Sequence, residues 1–586
     1  MQQNEKKNYK LIGNNLFSSD HKEFYKSEVG PRLESRHVFV RHVDAKKLNH
    51  HPVSILEIGF GPGTNFFELL ETLEEKKNKE ELNYFAFEKN PIDEKTIKKY
   101  LNNLNFNKKN INFFLDSYEP VKKGLIVINF FHFKVNLYFF YGDFLDFVES
   151  ISFKVDYIFL DPFSPRVNKE AWSKKIFQNI KKLSHQKTVI LTYSVAKNVQ
   201  EKLSSLDFKI DLLTGIGQKK NNLLATAMNR DSILPIKNKK IVIIGAGICG
   251  ILCAYFLSSA GSEVTLIDSN SKIMSDASSV PIAMVRPYFS PKDIVYNQFL
   301  FASFLFASNF YQYFKKTNLK TGIKKHDSIF VPNNNFKFGI FFEKLLSEKK
   351  FINFFDSNVD YKQFFLLKNN FSIHTKKFGE VMFENLKEKI NFHLGVKIKR
   401  VNRKADKYEV LIQDGMVIKA DVVIYAGGFK SSTTILENSK ILKPSIGQQD
   451  YIKSFDNSIL PYLGDMYLNK LNAKKFIIGS TYHDGVTDNR YQDSDSRMLH
   501  DKVNKYFKNV ELKKLDSWIS TRSITPDRRP LLGEIKPNFF VATGLGSSGF
   551  TTSPFMAFLI AKKIFGIDFF KLHQFAQINI NRFQSI

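Results

Sequence analysis

A chain of 586 residues exceeds the ~250–300 at which a single core stops growing, so it must hold more than one domain, and its 43% hydrophobic content is enough for large buried cores. Two cysteines exclude a disulfide framework. The net charge of +28, of which residues 1–235 contribute +8 and the remainder +20, points to a polyanionic partner such as RNA or, equally on composition, to a generally solvated Lys-rich surface. Phe is abundant (59) and Trp rare (2), which points to coding bias toward an AT-rich genome and accounts for part of the lysine excess.

The first residues, MQQNEKKNYK, lack the apolar core of a signal peptide, and with Cys249 and Cys253 belonging to no framework the expectation is a reducing cytoplasm. Residues 1–50 are polar. From Val53 strands and helices alternate: strand VSILEI, a glycine loop, amphipathic helix NFFELLETLEE and strand LNYFAFE, then NLYFFYGD, VDYIFLDPFSP and TVILTYS. That alternation predicts a doubly wound parallel sheet. A polar linker is expected over Asn229 to Lys240, after which KIVIIG restarts the same architecture. The apolar run FLFASFLFA, Phe299 to Ala307, is far short of the ~20 residues that span a bilayer and reads as a buried helix. Mixed apolar and basic stretches such as VDYKQFFLLKNNFSIHTKKFG suit a more irregular inserted domain. The expected fold class is α/β, with domains at 1–235 and 236–586.

The first glycine loop, LEIGFGPGTN, places Gly59, Gly61 and Gly63 in the pattern E-x-G-x-G-x-G. It resembles the first motif of Rossmann-like S-adenosylmethionine methyltransferases. The next strand ends at Glu88, whose carboxylate can accept both ribose hydroxyls; FYGD offers Asp143 near the adenine; FLDPFSP puts Asp161 at the carboxyl end of a strand, facing the ligand crevice. The competing reading is a set of ordinary helix caps.

The second loop, IVIIGAGICG, carries G-x-G-x-x-G at Gly245, Gly247 and Gly250, with Asp268 placed 18 residues later to bind a ribose. A late strand ending at Gly427 and Gly428, and Gly544, Gly546 and Gly549 before a C-terminal helix, complete a trio resembling the glycine oxidase and D-amino acid oxidase class, which implies FAD. In that class the terminal helix points its positive end at the flavin.

The two halves in this order resemble the MnmC family, bifunctional bacterial enzymes of 5-methylaminomethyl-2-thiouridine biosynthesis in tRNA. The resemblance covers almost the whole chain. It rests on SSDHKEFYKSEVGPRLESRHVFV, LEIGFGPGTNF, FEKNP, YGDFLDFV, VDYIFLDPFSPRVNKEAW, TYSVAKNV and GIGQKKN in the first half. In the second it rests on GAGICG, GQQ at Gly447 to Gln449, RSITPDRRPLLG and GLGSSGFTTSP. The chain departs from the family at DPFSP for D-G-F-A-P, at QKKN for a more basic cluster, at Arg286 where Tyr is usual and at Ser548 where the family has Arg.

The resemblance implies an N-terminal S-adenosylmethionine methyltransferase fold and a C-terminal FAD-binding oxidoreductase fold with an inserted α+β substrate domain. It also implies tRNA as partner and two consecutive reactions. FAD oxidises the C–N bond of a 5-carboxymethylaminomethyl group, whose carboxylate needs a positive partner; Arg522 and Arg286 are the candidates, while Arg528 and Arg529 read equally as surface charges. The freed primary amine then takes a methyl group, with Asp161 orienting it; Trp172 and Phe163 are available to stack on the base, with core packing the expected role of Phe163. Lys219 and Lys220, after a glycine turn, are expected to contact tRNA, with solvation of the turn as the alternative. No metal site is expected: His50 and His51 are adjacent, and His37 and His42 are five apart. Two rival readings are a methyltransferase fused to a free amino-acid oxidase and an RNA-binding protein with a degenerate flavin half.

Overall fold

The computed structural model describes residues 8–44, 52–78, 80–118, 123–228, 238–290, 293–332, 339–355, 364–430, 441–453, 460–465, 467–488, 490–507 and 512–583. Most of the expected linker and both His50 and His51 lie outside these. Contacts divide the chain into two units, Met1–Ile236 with Gly566–Leu572 and Lys237–Phe565 with His573–Ile586.

The first unit is built on an eight-stranded sheet. Its strands run, in spatial order, Phe208–Thr214, Asn221–Ala227, Ser184–Thr192, Val155–Leu160, Val53–Ile58, Leu82–Glu88, Val135–Tyr141 and Gly124–Phe130. The five from Ser184–Thr192 to Val135–Tyr141 are parallel, and antiparallel strands close both edges. Val53–Ile58 is buried along its whole length, as befits a central parallel strand covered on both faces, so VSILEI reads as a continuous apolar run around Glu57 rather than an alternation. The chain turns from it at Gly59 into helix Thr64–Glu75, which packs the face carrying Phe66, Phe67, Leu69 and Leu70 inward. A small antiparallel sheet of Tyr9–Ile12, Asn15–Ser18 and Glu23–Phe24, followed by helix Pro31–Val38, precedes this core.

This unit also takes in seven residues from the far end of the chain. Asp568 exchanges both backbone hydrogen bonds with Ser152, at 2.8 and 3.0 Å. The ring of Phe569 enters a cluster formed by Phe85, Tyr138, Phe140 and Phe153, with centroid separations of 5.2–6.4 Å.

The second unit holds a six-stranded sheet, in the order Asn391–Leu394, Glu263–Asp268, Lys240–Ile244, Val422–Tyr425, Phe539–Thr543 and Leu531–Lys536. The first five are parallel. The apolar run Phe299 to Ala307 is the buried middle of the 24-residue helix Ile294–Thr317, which packs on helix Gly549–Ile564; the latter packs on Ile248–Ser259 in turn. No helix among the described residues is long and apolar enough to cross a membrane. The inserted region is a mixed ten-stranded sheet whose long strands include Ile323–Val331, Phe364–His374, Lys443–Lys453 and Lys514–Ile524.

Candidate active sites

In the first unit the carboxyl ends of the parallel strands open on a cavity of about 1310 Å³. Gly59 and Gly61 line it. Gly59, at φ +91°, lies so close to the end of Val155–Leu160 that a Cβ there would stand 2.9 Å from the carbonyl oxygen of Asp161. Gly63 sits behind the wall as the N-cap of Thr64–Glu75. Glu88 is at the rim: one carboxylate oxygen accepts from the amide of Gly61 at 2.7 Å and the other from that of Asn90 at 2.8 Å, which ties the glycine loop to the neighbouring strand end. Burial raises its pKa. Asp143 lines the cavity while capping helix Phe144–Phe147 through the amide of Leu145 and pairing with Lys89 at 3.2 Å. The capping alternative therefore describes part of what Asp143 does.

Asp161 stands where its strand position requires, and its surroundings are the main feature that the sequence left unread. Its carboxylate receives Lys26 Nζ at 2.5 Å and Asn65 Nδ2 at 2.8 Å. Asn65 also donates to Glu57 at 2.7 Å and accepts from Lys26 at 3.0 Å; Tyr84 donates to the second oxygen of Glu57 at 2.7 Å. Glu57 is wholly buried, and desolvation, with the charge of Asp161 adding to it, raises its pKa to about 8. Burial likewise pushes the Asp161 carboxyl up, and Lys26 pulls it back. Glu57 is the first acid of E-x-G-x-G-x-G, and Lys26 lies inside the FYKSEVG stretch. The signal for Lys26 was a lysine flanked by apolar and small residues, which only the fold turns inward.

Phe163 lines the cavity between His21 (4.4 Å, stacked) and Tyr25 (4.9 Å, edge-on). Trp172 does not reach the cavity. It is 1% exposed, and its indole donates to the carbonyl of Phe163 at 2.8 Å, so it braces the Asp-Pro-Phe loop from beneath and presents no open face for a base. Lys219 and Lys220 separate: Lys219 lines the cavity, 3.3 Å from Glu34 and 4.2 Å from the centre of the Tyr193 ring, whereas Lys220 is exposed on the turn.

In the second unit a cavity of about 670 Å³ is lined by Gly245, Gly247, Asp268, Gly428, Gly544, Gly546 and Gly549. The loop admits no side chain at its tightest point: a Cβ on Gly245, at φ +106°, would stand 2.8 Å from the carbonyl of Ala426. Gly250 is one turn inside the helix and lets that helix close onto the backbone of Gly245. Asp268 accepts from the amides of Ala246 (2.6 Å) and Asn270 (2.7 Å). Gly549 and Phe550, the first turn of Gly549–Ile564, border the cavity and bring a helix N-terminus to it. Backbone donors, a strand-end carboxylate and closely approaching glycines suit a dinucleotide with a ribose and a pyrophosphate.

Two arginines also line this cavity. Arg522 is buried, donates to the carbonyl of Thr481 at 3.2 Å and to the hydroxyl of Ser480, and lies 4.6 Å from the centre of the Tyr482 ring. Arg286 covers the Tyr288 ring at 4.0 Å, and Tyr288 donates to the carbonyl of Ser547 at 3.0 Å. Desolvation would raise the Tyr482 phenol, but the Arg522 charge, hydrogen bonds with Ser480 and Ser547 and the Arg286 charge together hold its pKa below the ordinary tyrosine value. Burial lowers that of Arg522. Among the described residues Arg522 donates to neutral oxygens, which leaves its charge for an incoming anion. Arg528 and Arg529 are committed elsewhere, to Asp484 and Asp293 respectively. Tyr288 and Tyr482 were not singled out in the sequence, since isolated tyrosines in loops carry no pattern.

Two family models match the chain: FAD dependent oxidoreductase over residues 240–563, and S-adenosyl-L-methionine-dependent methyltransferase over residues 105–228, beginning beyond the first glycine loop. Relatives named tRNA 5-methylaminomethyl-2-thiouridine biosynthesis bifunctional protein MnmC align along most of the chain. The protein of Leptospira interrogans is 27% identical, covering 89% of this chain and 86% of its own; that of Campylobacter fetus is 24% identical, covering 89% and 85%; that of Leptospira borgpetersenii is 26% identical, covering 93% and 94%. Among solved structures, glycine oxidase from Bacillus cereus is 16% identical, covering 56% of this chain and 94% of its own, at a TM-score of 0.47. With the oxidoreductase model spanning more than half of its length, the chain belongs to the FAD dependent oxidoreductase family, joined to an S-adenosyl-L-methionine-dependent methyltransferase in the bifunctional MnmC arrangement.

Proposed function

We propose that the chain modifies the wobble uridine of tRNA in two steps, converting a 5-carboxymethylaminomethyl group to 5-aminomethyl and then to 5-methylaminomethyl. The observation that carries this reading is the match between each cavity's polar end and one of the steps, in a chain whose relatives are named for making that nucleoside.

In the oxidase cavity Arg522 binds the substrate carboxylate by charge-assisted hydrogen bonds, and Arg286 adds a second positive charge beside it. The carbon between nitrogen and carboxylate is thereby held in place. FAD, held by the glycine loop and Asp268, would supply the hydride acceptor for that carbon, and hydrolysis of the oxidised C–N bond would release glyoxylate and a primary amine. The rings of Tyr482 and Tyr288, each against one guanidinium group, hold Arg522 and Arg286 in register.

In the methyltransferase cavity S-adenosylmethionine supplies an electrophilic methyl group. Asp161 accepts an N–H hydrogen bond from the substrate amine and points its lone pair at that methyl. Phe163, braced by Trp172 through its carbonyl, offers the uracil ring a wall to lie against. The domain limits 1–235 and 236–586 serve as the working division of the two activities, with Gly566–Leu572 as a return of the chain to the first.

Mass spectrometry of nucleosides tests the reading directly. Undermodified tRNA carrying the 5-carboxymethylaminomethyl group, incubated with the protein, should yield the 5-aminomethyl form, and 5-methylaminomethyl only when S-adenosylmethionine is added. Turnover of free glycine or sarcosine with no change in the tRNA would instead assign the second unit to a free amino-acid oxidase.

A further inference from the structure

Asp161, the carboxylate assigned to the substrate amine, already has a cation of its own. Lys26 is 7% exposed, lies 2.5 Å from Asp161 and 3.0 Å from Asn65, and lines the cavity. A buried ammonium is costly unless paired, so a lysine in this position is not incidental surface charge. The methyl acceptor meanwhile poses a protonation problem. A primary alkyl amine has a pKa near ~10 and arrives mostly as an ammonium, which has no lone pair to offer. A lone buried carboxylate makes this worse, because it stabilises the ammonium further.

We propose that Lys26 is the residue that lets the methyl acceptor react as a free amine: its ammonium meets the charge of Asp161, so that this carboxylate receives a hydrogen bond from a neutral substrate nitrogen instead of holding a protonated one. The inference rests on the tRNA-modification reading, in which the acceptor is a primary amine. The nitrogen lone pair then forms the bond to the methyl carbon, the electrons of the carbon–sulfur bond return to sulfur, and the positive charge passes to the secondary ammonium of the product. No base in the site has to take a proton during the transfer.

The surrounding groups support this division of charge. Burial alone would lower the pKa of Lys26, but the facing Asp161 and Glu34 outweigh it and keep the lysine protonated. Glu34 is itself met by Lys219. Glu57, hydrogen-bonded to Tyr84 and linked to Asp161 through Asn65, keeps its proton near neutrality and adds no second negative charge. Tyr100 and Tyr193 remain neutral phenols, their pKa values raised by burial and the nearby carboxylates. If the lysine charge is removed, Asp161 needs a proton or another cation. The entering amine is a stronger base than any carboxylate in the cluster, so it becomes the ammonium that Lys26 had been.

The test is the pH profile of single-turnover methyl transfer to tRNA bearing 5-aminomethyluridine, with Lys26→Met, Lys26→Gln and Lys26→Arg beside the unaltered protein. Both neutral variants should move the midpoint of the alkaline rise upward by at least one unit, so that transfer is at least tenfold slower at pH 7 and recovers at high pH. With S-adenosylhomocysteine in place of the methyl donor, the same two variants should bind this tRNA more tightly at pH 7, because the ammonium is now paired. Lys26→Arg should leave the midpoint in place. Should Lys26→Met fail to fold, Lys26→Gln carries the test alone. An unmoved midpoint in the neutral variants, or an equal displacement in Lys26→Arg, overturns the inference. Absence of transfer by the unaltered protein would count against the tRNA reading instead.

Discussion

With Asp161 proposed for methyl transfer and Arg522 for oxidation, loss of each should divide the chemistry. Asp161→Asn keeps a hydrogen-bond acceptor beside Lys26 and Asn65 while removing the charge, whereas Asp161→Ala would remove the acceptor as well. With Asp161→Asn, 5-aminomethyluridine should accumulate in the nucleoside digest while oxidation continues at its usual rate. Arg522→Gln should do the reverse. Losing one charge-assisted contact costs about 2 kcal/mol, or ~30-fold in kcat/KM for oxidation, while a tRNA already carrying the primary amine should be methylated normally. Glu57 makes a prediction about stability. Its folded-state pKa, about 8, is raised above the unfolded value, so between roughly pH 4.5 and 8 the folded chain holds a proton that the unfolded chain has released. Stability of the first unit should therefore fall as pH rises through that window. In Glu57→Gln the fall should be smaller by on the order of 2 kcal/mol, read as a narrower difference in melting temperature between pH 5.5 and 8.

At the scale of elements, the sequence was most legible where backbone geometry dictates residue type. Gly59 and Gly245 occupy positive φ where a Cβ would collide with the backbone carbonyl at a neighbouring strand end, so both loops announced themselves as glycine patterns after apolar runs. The acids at strand ends followed from the topology of a parallel sheet. What stayed hidden was contact between distant segments: Lys26 with Asp161 is a pairing across 135 positions, and no local period encodes it. Trp172 shows the opposite error, since an aromatic next to a strand end invites a stacking role that its burial removes. The segment Gly566–Leu572 was equally unreadable, because DFF after a helix looks like a chain end trailing off. Phe569→Ala would empty the ring cluster of Phe85, Tyr138, Phe140 and Phe153, at a cost of about 3–5 kcal/mol for a large aromatic in a core. Hydrogen exchange should show faster exchange across Leu82–Glu88 and Val135–Tyr141. A fragment of residues 1–235 should bind S-adenosylmethionine, but with a lower melting temperature than the same unit in the full chain. Calorimetry with the folded fragment checks the first point and a thermal melt the second.

For the whole molecule the governing quantity is charge. A net +28 with most of it after residue 235 predicts tRNA binding that weakens by orders of magnitude between ~50 and 200 mM salt if six or more phosphates are contacted. The structure refines which lysines contribute. Lys219 already has Glu34 and the face of Tyr193, so its charge is partly spent inside the cavity, whereas Lys220 is exposed on the turn where a phosphate can reach it. Replacing both with Ala should lower the slope of log affinity against log salt by about one unit, and Lys220→Ala alone should account for most of it. Titrations at four or five salt concentrations measure this, and an unchanged slope would assign both lysines to solvation of the turn.

The placement of Phe569 also bears on how the protein is made. A ribosome that has finished residue 236 has synthesised every strand of the first unit's large sheet, yet the ring that fills its aromatic cluster has not been synthesised. At bacterial elongation rates of ~5–20 residues per second, the intervening residues take roughly 20–70 s, during which that cluster is open to solvent. A message truncated anywhere in its second half therefore yields a methyltransferase unit with an unfilled core as well as a broken oxidase, and such chains should be prone to clearance by proteases before they reach tRNA.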